Sequence, residues 1–436
     1  MAAPRLQQAP AAANFRDTLR TQVGISALRP LRGRPRRRWC AVRAKRTSWG
    51  VISLLVALIG LSFPCRLCAK PKFKVLANIP GGLWSGLTFD KAGNLYGVTT
   101  GGGEYQDGSI FKMTRGSNGK WAVTILHSFN FKPDGEEPNG DLIFDASGNL
   151  YGTTPHGGDY DLGTIFELSP GSNGWNFTVL HAFCEQSRCQ DGGGPLAGLA
   201  QDKSGSLLGT AGGGLYSMGV VFELTPGASG WTYSILYNFG SHPRDGSDPQ
   251  DAPVLDAKGN IYGNTRFGGR FGDGTVFELH STAGGWKERL LLQFDSKDGS
   301  IPEGDLVFDP EGNLYGIANG RVNNIFRLTP EVKGRWKETV LYDFHNPEEG
   351  FAPATGPVIG NKGTIYGTTA LGGTGSCYDG CGVVYKLSPR AGDKWKYTVL
   401  HKFMNPDESP PDGRLIMDSK GNLYGTAFGI VYEVTP

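Results

Sequence analysis

The sequence predicts an all-β fold, a seven-bladed β-propeller of four-stranded blades, and three observations carry that prediction. A motif of the form D-x-x-G-N-L-Y-G recurs seven times, ending at Gly97, Gly152, Gly209, Gly263, Gly316, Gly367 and Gly425. The intervals are 55, 57, 54, 53, 51 and 58 residues, so the motifs are rigid while the lengths between them vary. Strands joined by loops behave this way, and such a period marks propellers or solenoids. Six units also carry Trp followed eight residues later by Phe: Trp121/Phe129, Trp175/Phe183, Trp231/Phe239, Trp286/Phe294, Trp336/Phe344 and Trp395/Phe403. The third observation is a permutation. Unit seven stops at Tyr432–Pro436, the end of a third strand, and its missing fourth strand is matched by Phe73-Lys74-Val75-Leu76, the counterpart of Tyr397-Thr398-Val399-Leu400. A ring whose last blade borrows an N-terminal strand has no open seam. An open solenoid gains nothing from the exchange.

Within a unit the strands follow in order. The first resembles GDLIFD (140–145), the second NLYGTT (149–154), the third GTIFEL (163–168) and the fourth WNFTVLHAF (175–183). Aromatic and β-branched residues bounded by turn residues support each assignment. The first two are joined by Asp-x-x-Gly, in which Asp90, Asp145, Asp202, Asp256, Asp309 and Asp418 cap a type I turn. Calcium would need further acids in that loop, and they are missing. Stretches such as Pro170–Gly174 and Pro226–Gly230 join the third strand to the fourth. After residue 65 no segment sustains a 3.6-residue period, so helices are expected to be nearly absent. One ring therefore takes all of residues 70–436.

Residues 1–69 read differently. Residues 1–48 hold twelve Lys/Arg against Asp17 alone, a net of +11, followed by an apolar core, Val51–Phe63, of 13 residues. A bilayer span needs about 20. Short apolar core behind positive charge is the pattern of a signal peptide, with an N-terminal membrane anchor as the alternative. The basic stretch is long for a leader, which points to a start downstream of Met1. The expectation is a secreted, periplasmic or extracellular protein whose mature body is not embedded in a membrane. That body has 43 − 13 = 30 basic and 41 − 1 = 40 acidic residues, a net of −10. Phosphate binding needs clustered cations, so nucleic acid is excluded as the partner.

The repeat resembles that of the GloVer-type tandem-repeat exported bacterial proteins. The likeness runs over roughly residues 73–436 through G-L-x-x-D-x-x-G-N-L-Y-G-T-T, then Gly-Gly, then G-T-I-F-E-L, and unit two (Gly140–Phe183) carries it best. Gly360 replaces the turn Asp in unit six, and Leu208 replaces Tyr in unit three. The resemblance implies export and no established activity. A more distant similarity, to NHL-type and streptogramin-lyase-type propellers, rests on D-x-x-G-N and an apolar strand.

Four cysteines fall in the body as two local pairs, Cys184/Cys189 and Cys377/Cys381. In an exported chain these read as disulfides clamping loops. Zinc is the alternative, but no His accompanies either pair at ligand spacing. His127, His181 and His401 share one place in the fourth strand, where other units carry Tyr237, Gln293 and Tyr342, which reads as a packing position. No nucleophile elbow, zincin, P-loop or EF-hand motif occurs. No catalytic residue, metal or cofactor is expected.

Function is expected on one face. Asp134, Asp191, Asp245, Asp298, Glu349 and Asp407 lie eleven residues before each turn, and Pro138, Pro195, Pro249, Pro302, Pro353 and Pro411 follow four residues later. These loops, between a fourth strand and the next first strand, share a face with the loops between second and third strands. The latter read GGGEYQDG, GGDYDLG, GGGLYSMG, GGRFGDG and GGTGSCYDGCG. Tyr105, Asp107, Tyr160, Asp161, Tyr216, Phe271, Asp273, Tyr378 and Asp379 are the candidate ligand-binding residues. Aromatic faces beside carboxylates suit sugar rings. The expectation is a monomeric, noncatalytic scaffold for a glycan, an envelope component or a protein. The alternative is a metal-assisted lyase or lactonase at the central channel.

Overall fold

A computed structural model describes residues 70–297, 299–377, 379–404 and 410–436. Seven antiparallel four-stranded sheets form the blades of a seven-bladed β-propeller. Blade 2 shows the order: Ile143–Phe144, Leu150–Thr154, Thr164–Gly171 and Gly174–Ala182 pair in succession. The leader expected in residues 1–69 lies outside the described residues. Among the described residues no helix is long and apolar enough to cross a membrane.

The last blade closes as its missing strand requires. Lys72–Asn78 pairs antiparallel with Ile430–Thr435, placing Phe73 opposite Val434, and Ile79 N donates to Gly429 O at 2.8 Å. Within each blade the motif glycine lets the next strand approach. A Cβ on Gly152 would sit 2.5 Å from Phe166 Cζ, and one on Gly209 would sit 2.3 Å from Phe222 Cζ. No side chain fits there, so N-L-Y-G keeps its glycine while the neighbouring strand supplies a large ring.

Hydrophobic cores lie at the seams between blades; Tyr151 and Phe183 of blade 2, for example, pack with Leu199 and Phe222 of blade 3. The fourth strands add a second layer of contact. The residue six after the Trp stacks on the residue two after the next blade's Trp: His127 on Phe177 at 3.9 Å, His181 on Tyr233 at 3.9 Å, Tyr342 on Tyr397 at 4.4 Å. His401 stacks on Phe73 of the closing strand at 3.6 Å. Blade 4 departs from the expected alignment of its fourth strand. Val276 pairs with Leu292 as Ile165 pairs with His181, so Leu292, not Gln293, is the blade 4 counterpart.

Candidate functional site

The two faces of the ring differ in what they leave free. On the short-turn face, Asp256 Oδ1 accepts from Lys258 N and Asn260 N at 2.8 and 3.0 Å. Its Oδ2 accepts from Asn260 Nδ2 at 2.8 Å and Tyr262 OH at 3.2 Å. Asp90 and Asp418 repeat the set, Asp145 and Asp309 take the Asn and Tyr, and Asp202 uses Ser204 and Ser206 instead. Burial works against the charge at Asp90, Asp256 and Asp418, but donation from the Asn side chain, backbone N–H groups and the Tyr holds each carboxyl below its ordinary range. The acid of D-x-x-G-N is spent on its own turn.

The opposite face is built from two interlocked loop sets. Glu136 bridges to His156, Gly193 to Gly212, and Gly246–Ser247 pairs with Phe267–Gly268. The recurring Gly and Pro meet there: Gly163 has φ +92 and a Cβ on it would lie 3.0 Å from Pro195 Cδ, and Gly219 repeats the contact with Pro249. The carbonyls of Gly163 and Gly219 accept from Phe183 N and Phe239 N, both at 3.0 Å. Disulfides Cys184–Cys189 and Cys377–Cys381 restrain two further loops. The recurring acid clamps the fourth strand: Asp134 meets His127 Nε2 at 3.0 Å, Tyr237 OH donates to Asp245 at 3.0 Å and Tyr342 OH to Glu349 at 2.9 Å. Asp298 and Asp407 lie outside the described residues.

The structure separates the candidate residues by role. Tyr105 (50 % exposed), Tyr160 (47 %), Tyr216 (47 %) and Phe271 (53 %) project from four consecutive blades at equivalent loop positions. An open cleft of about 440 Å³ lies between Tyr105, Glu104 and the outer strand at His127. Asp107 and Asp273 instead tie their loops to the next one, accepting from Phe131 N at 2.9 Å and Ser296 Oγ at 2.8 Å. Asp161 is exposed and pairs with Lys132 at 2.9 Å, and Asp379 is exposed with φ +60. Tyr378 lies outside the described residues.

Two further groups escaped the sequence reading. The position four before each turn residue reads Gly86, Asp141, Gly198, Ala252, Asp305, Gly356 and Arg414. Its charged members converge from three different blades. Arg414 Nη1 lies 3.0 Å from Asp305 Oδ2, Ala252 N donates to Asp305 Oδ1 at 2.9 Å, and Gly86 N donates to Asp141 Oδ1 at 2.5 Å. Burial and the Asp305 charge push Asp141 up to about 6 against the pull of Arg414. Burial, Asp305 and Glu303 likewise raise Asp251 well above the carboxylate range. Small residues alternating with charged ones at a fixed offset were the available signal. The second group, His242, Asp245 and Glu288, joins blades 3 and 4. Its signal was a Glu, repeated only as Glu338 in unit five, at a strand position that is Phe177, Tyr233 and Tyr397 in three other units.

A family model described as the Gloeobacter/Verrucomicrobia repeat matches residues 83–324 and 145–379. No curated protein matches the chain by sequence. Among solved structures, a streptogramin B lyase superposes with a TM-score of 0.54 at 15% identity, covering 84% of this chain and 97% of its own. An ancestral GH74 enzyme superposes with a TM-score of 0.56 at 10% identity over 82% of this chain, which spans 48% of that protein. Likeness at such identities shows the fold alone.

Proposed function

The chain belongs to the Gloeobacter/Verrucomicrobia repeat family, and from that premise we propose that it is an exported, noncatalytic binding scaffold whose loop face engages a glycan of the cell envelope or surroundings. The observation that carries this reading is the row of half-exposed rings, Tyr105, Tyr160, Tyr216 and Phe271, one on each of four consecutive blades. Exposed rings on hydrogen-bonded loops offer flat apolar surface to the C–H faces of sugars at small entropic cost. Several weak contacts to one extended chain add up through effective concentration, so no deep pocket is required. The structural use of Asp107 and Asp273 narrows the polar contribution to Asp161, Asp379 and exposed backbone groups.

Retention of the protein on immobilised oligosaccharides and envelope polysaccharide tests this. The wild-type chain should bind a subset, and replacing Tyr105, Tyr160 and Tyr216 together with Ala should cut binding at least tenfold without changing the thermal midpoint. Binding that survives the triple substitution, or no glycan binding at all, would refute the proposal. The carboxylates at Asp141 and Asp251 favour one second reading, a metal-assisted lyase or lactonase in the channel. Metal-dependent turnover lost on Asp141→Asn would put function there instead.

A further inference from the structure

The seam between blades 3 and 4 lacks the stacked ring pair found at four other seams, and at the next seam Glu338 takes the same strand position. Where Phe177, Tyr233 and Tyr397 stack on the preceding blade, blade 4 presents Glu288, whose side chain is only 2% exposed. A carboxyl in place of a buried ring forfeits apolar contact and adds a desolvation cost. Its surroundings do not repair that loss. Glu288 Oε2 meets His242 Nε2 at 3.1 Å, while Oε1 is buried with no hydrogen-bond partner. Asp245 faces the same carboxyl, and a proton or a cation between the two groups is what such a pair requires.

The neighbours define what that group is. One ligand atom each from His242, Asp245 and Glu288 lie within 4.8 Å of one another. Asp245 is held in place by four donors: Tyr237 OH at 3.0 Å, Ser241 N at 2.8 Å and Ser241 Oγ at 2.9 Å on Oδ2, and Gly246 N at 2.9 Å on Oδ1. Hydrogen bonds that orient a carboxylate are the usual support behind metal ligands. His242 is 45% exposed, so its ring is free to turn, and it opens onto a surface depression of about 610 Å³ also lined by Arg244 and Gln293. From these observations we propose that His242, Asp245 and Glu288 form a binding site for one divalent transition-metal cation, zinc by preference, with its remaining coordination position open to solvent. One imidazole and two carboxylates are ligands that zinc accepts at about 2.0–2.2 Å. Carboxylate-only sites suit magnesium and calcium, whereas the imidazole selects for zinc and its neighbours.

The site shares the loop face with the exposed rings, and its test reads zinc binding rather than glycan binding, so the two proposals fail separately. The full chain is stripped with chelator, and zinc chloride is added in a calorimetric titration, with metal content confirmed by mass spectrometry. One zinc per chain at micromolar affinity or tighter is expected. His242→Ala and Glu288→Phe should each weaken it at least a hundredfold, while His156→Ala should leave it unchanged. Glu288→Phe restores a ring like the one that Phe177 supplies two seams away, so it should fold, as its thermal melt will report. Absence of stoichiometric zinc in the wild type, or its retention by Glu288→Phe, would overturn the proposal.

Discussion

Asp251 is held by one of its two oxygens. Oδ1 accepts from Gly304 N at 2.8 Å, while Oδ2 and the side-chain oxygen of Asn264 are both buried acceptors without a donor. A proton held on Asp251 supplies a donor where these acceptors have none. This agrees with the rise in its pKa, which burial causes first and the charges of Asp305 and Glu303 reinforce. The unfolded group ionises near 3.8, and the folded one keeps its proton to higher pH. Stability from this group is therefore complete below about pH 4 and lost as pH rises through the raised folded value. Asp251→Asn reproduces the protonated geometry without the ionisation. Its melting temperature should exceed that of the wild type at pH 8 by about 1–3 °C and converge with it near pH 4. Scanning fluorimetry across that range checks this; an equal or lower midpoint at pH 8 would rule it out. Residues of this kind were hard to read from sequence. Asp251 and Asp141 sit at the head of short first strands, where a turn-rich sequence makes any Asp look like a cap.

At the level of elements, the closing strand is the part most legible in the sequence and most exposed to test. The likeness of Phe73–Leu76 to Tyr397–Leu400 located it, because a fourth strand needs the same alternation wherever it lies along the chain. Phe73 then makes three ring contacts: stacked on His401 at 3.6 Å, edge-on to Phe403 at 5.7 Å, and tilted against Tyr432 at 5.4 Å. Removing it should cost about 2–3 kcal/mol, below the ~3–5 kcal/mol of a fully buried Phe, since one side remains half-buried. Phe73→Ala should thus melt earlier, and deletion of Lys72–Asn78 should bare the edge of Ile430–Thr435 and produce concentration-dependent association. Chemical denaturation and size-exclusion chromatography measure the two effects. A truncated chain as stable and monomeric as the parent would refute closure by this strand. The displacement of Gln293 by Leu292 shows the limit of such pattern matching. A shift of one residue reverses the face of a strand, and only the pairing of Val276 with Leu292 settles it.

Over the whole ring, the recurrence that revealed the blades also hid what is particular to single blades. Seven copies average toward turn chemistry, so the repeated Asp, Gly and Pro were visible at once. Asp141 and Asp305 interrupt a position that is mostly small, Arg414 stands alone there, and Glu288 shares its strand position with Glu338 against aromatic residues in three other units. The same comparison between blades predicts how the ring responds to acid. Three seams hold an imidazole stacked on a neighbouring ring, at His127, His181 and His401. Burial lowers all three pKa values, against opposition from Asp134 at His127 and from Asp191 and Glu185 at His181, and it lowers His401 to about 4. A free histidine takes its proton near 6.5. Between these values the unfolded chain binds protons that the folded ring refuses, so stability is present above about pH 6.5 and lost as pH falls toward 4. Blades 3 and 5 show the remedy, for Tyr237 and Tyr342 fill this position and donate to Asp245 and Glu349. Replacing His127, His181 and His401 together with Tyr should therefore keep the stacks and remove the titration. Carboxyls with raised pKa, Asp141 and Asp251 among them, act equally in both proteins and cancel in the difference. The melting temperature of the triple variant should fall less steeply than that of the wild type between pH 7 and pH 4.5. Parallel slopes would show that these seams do not sense acid.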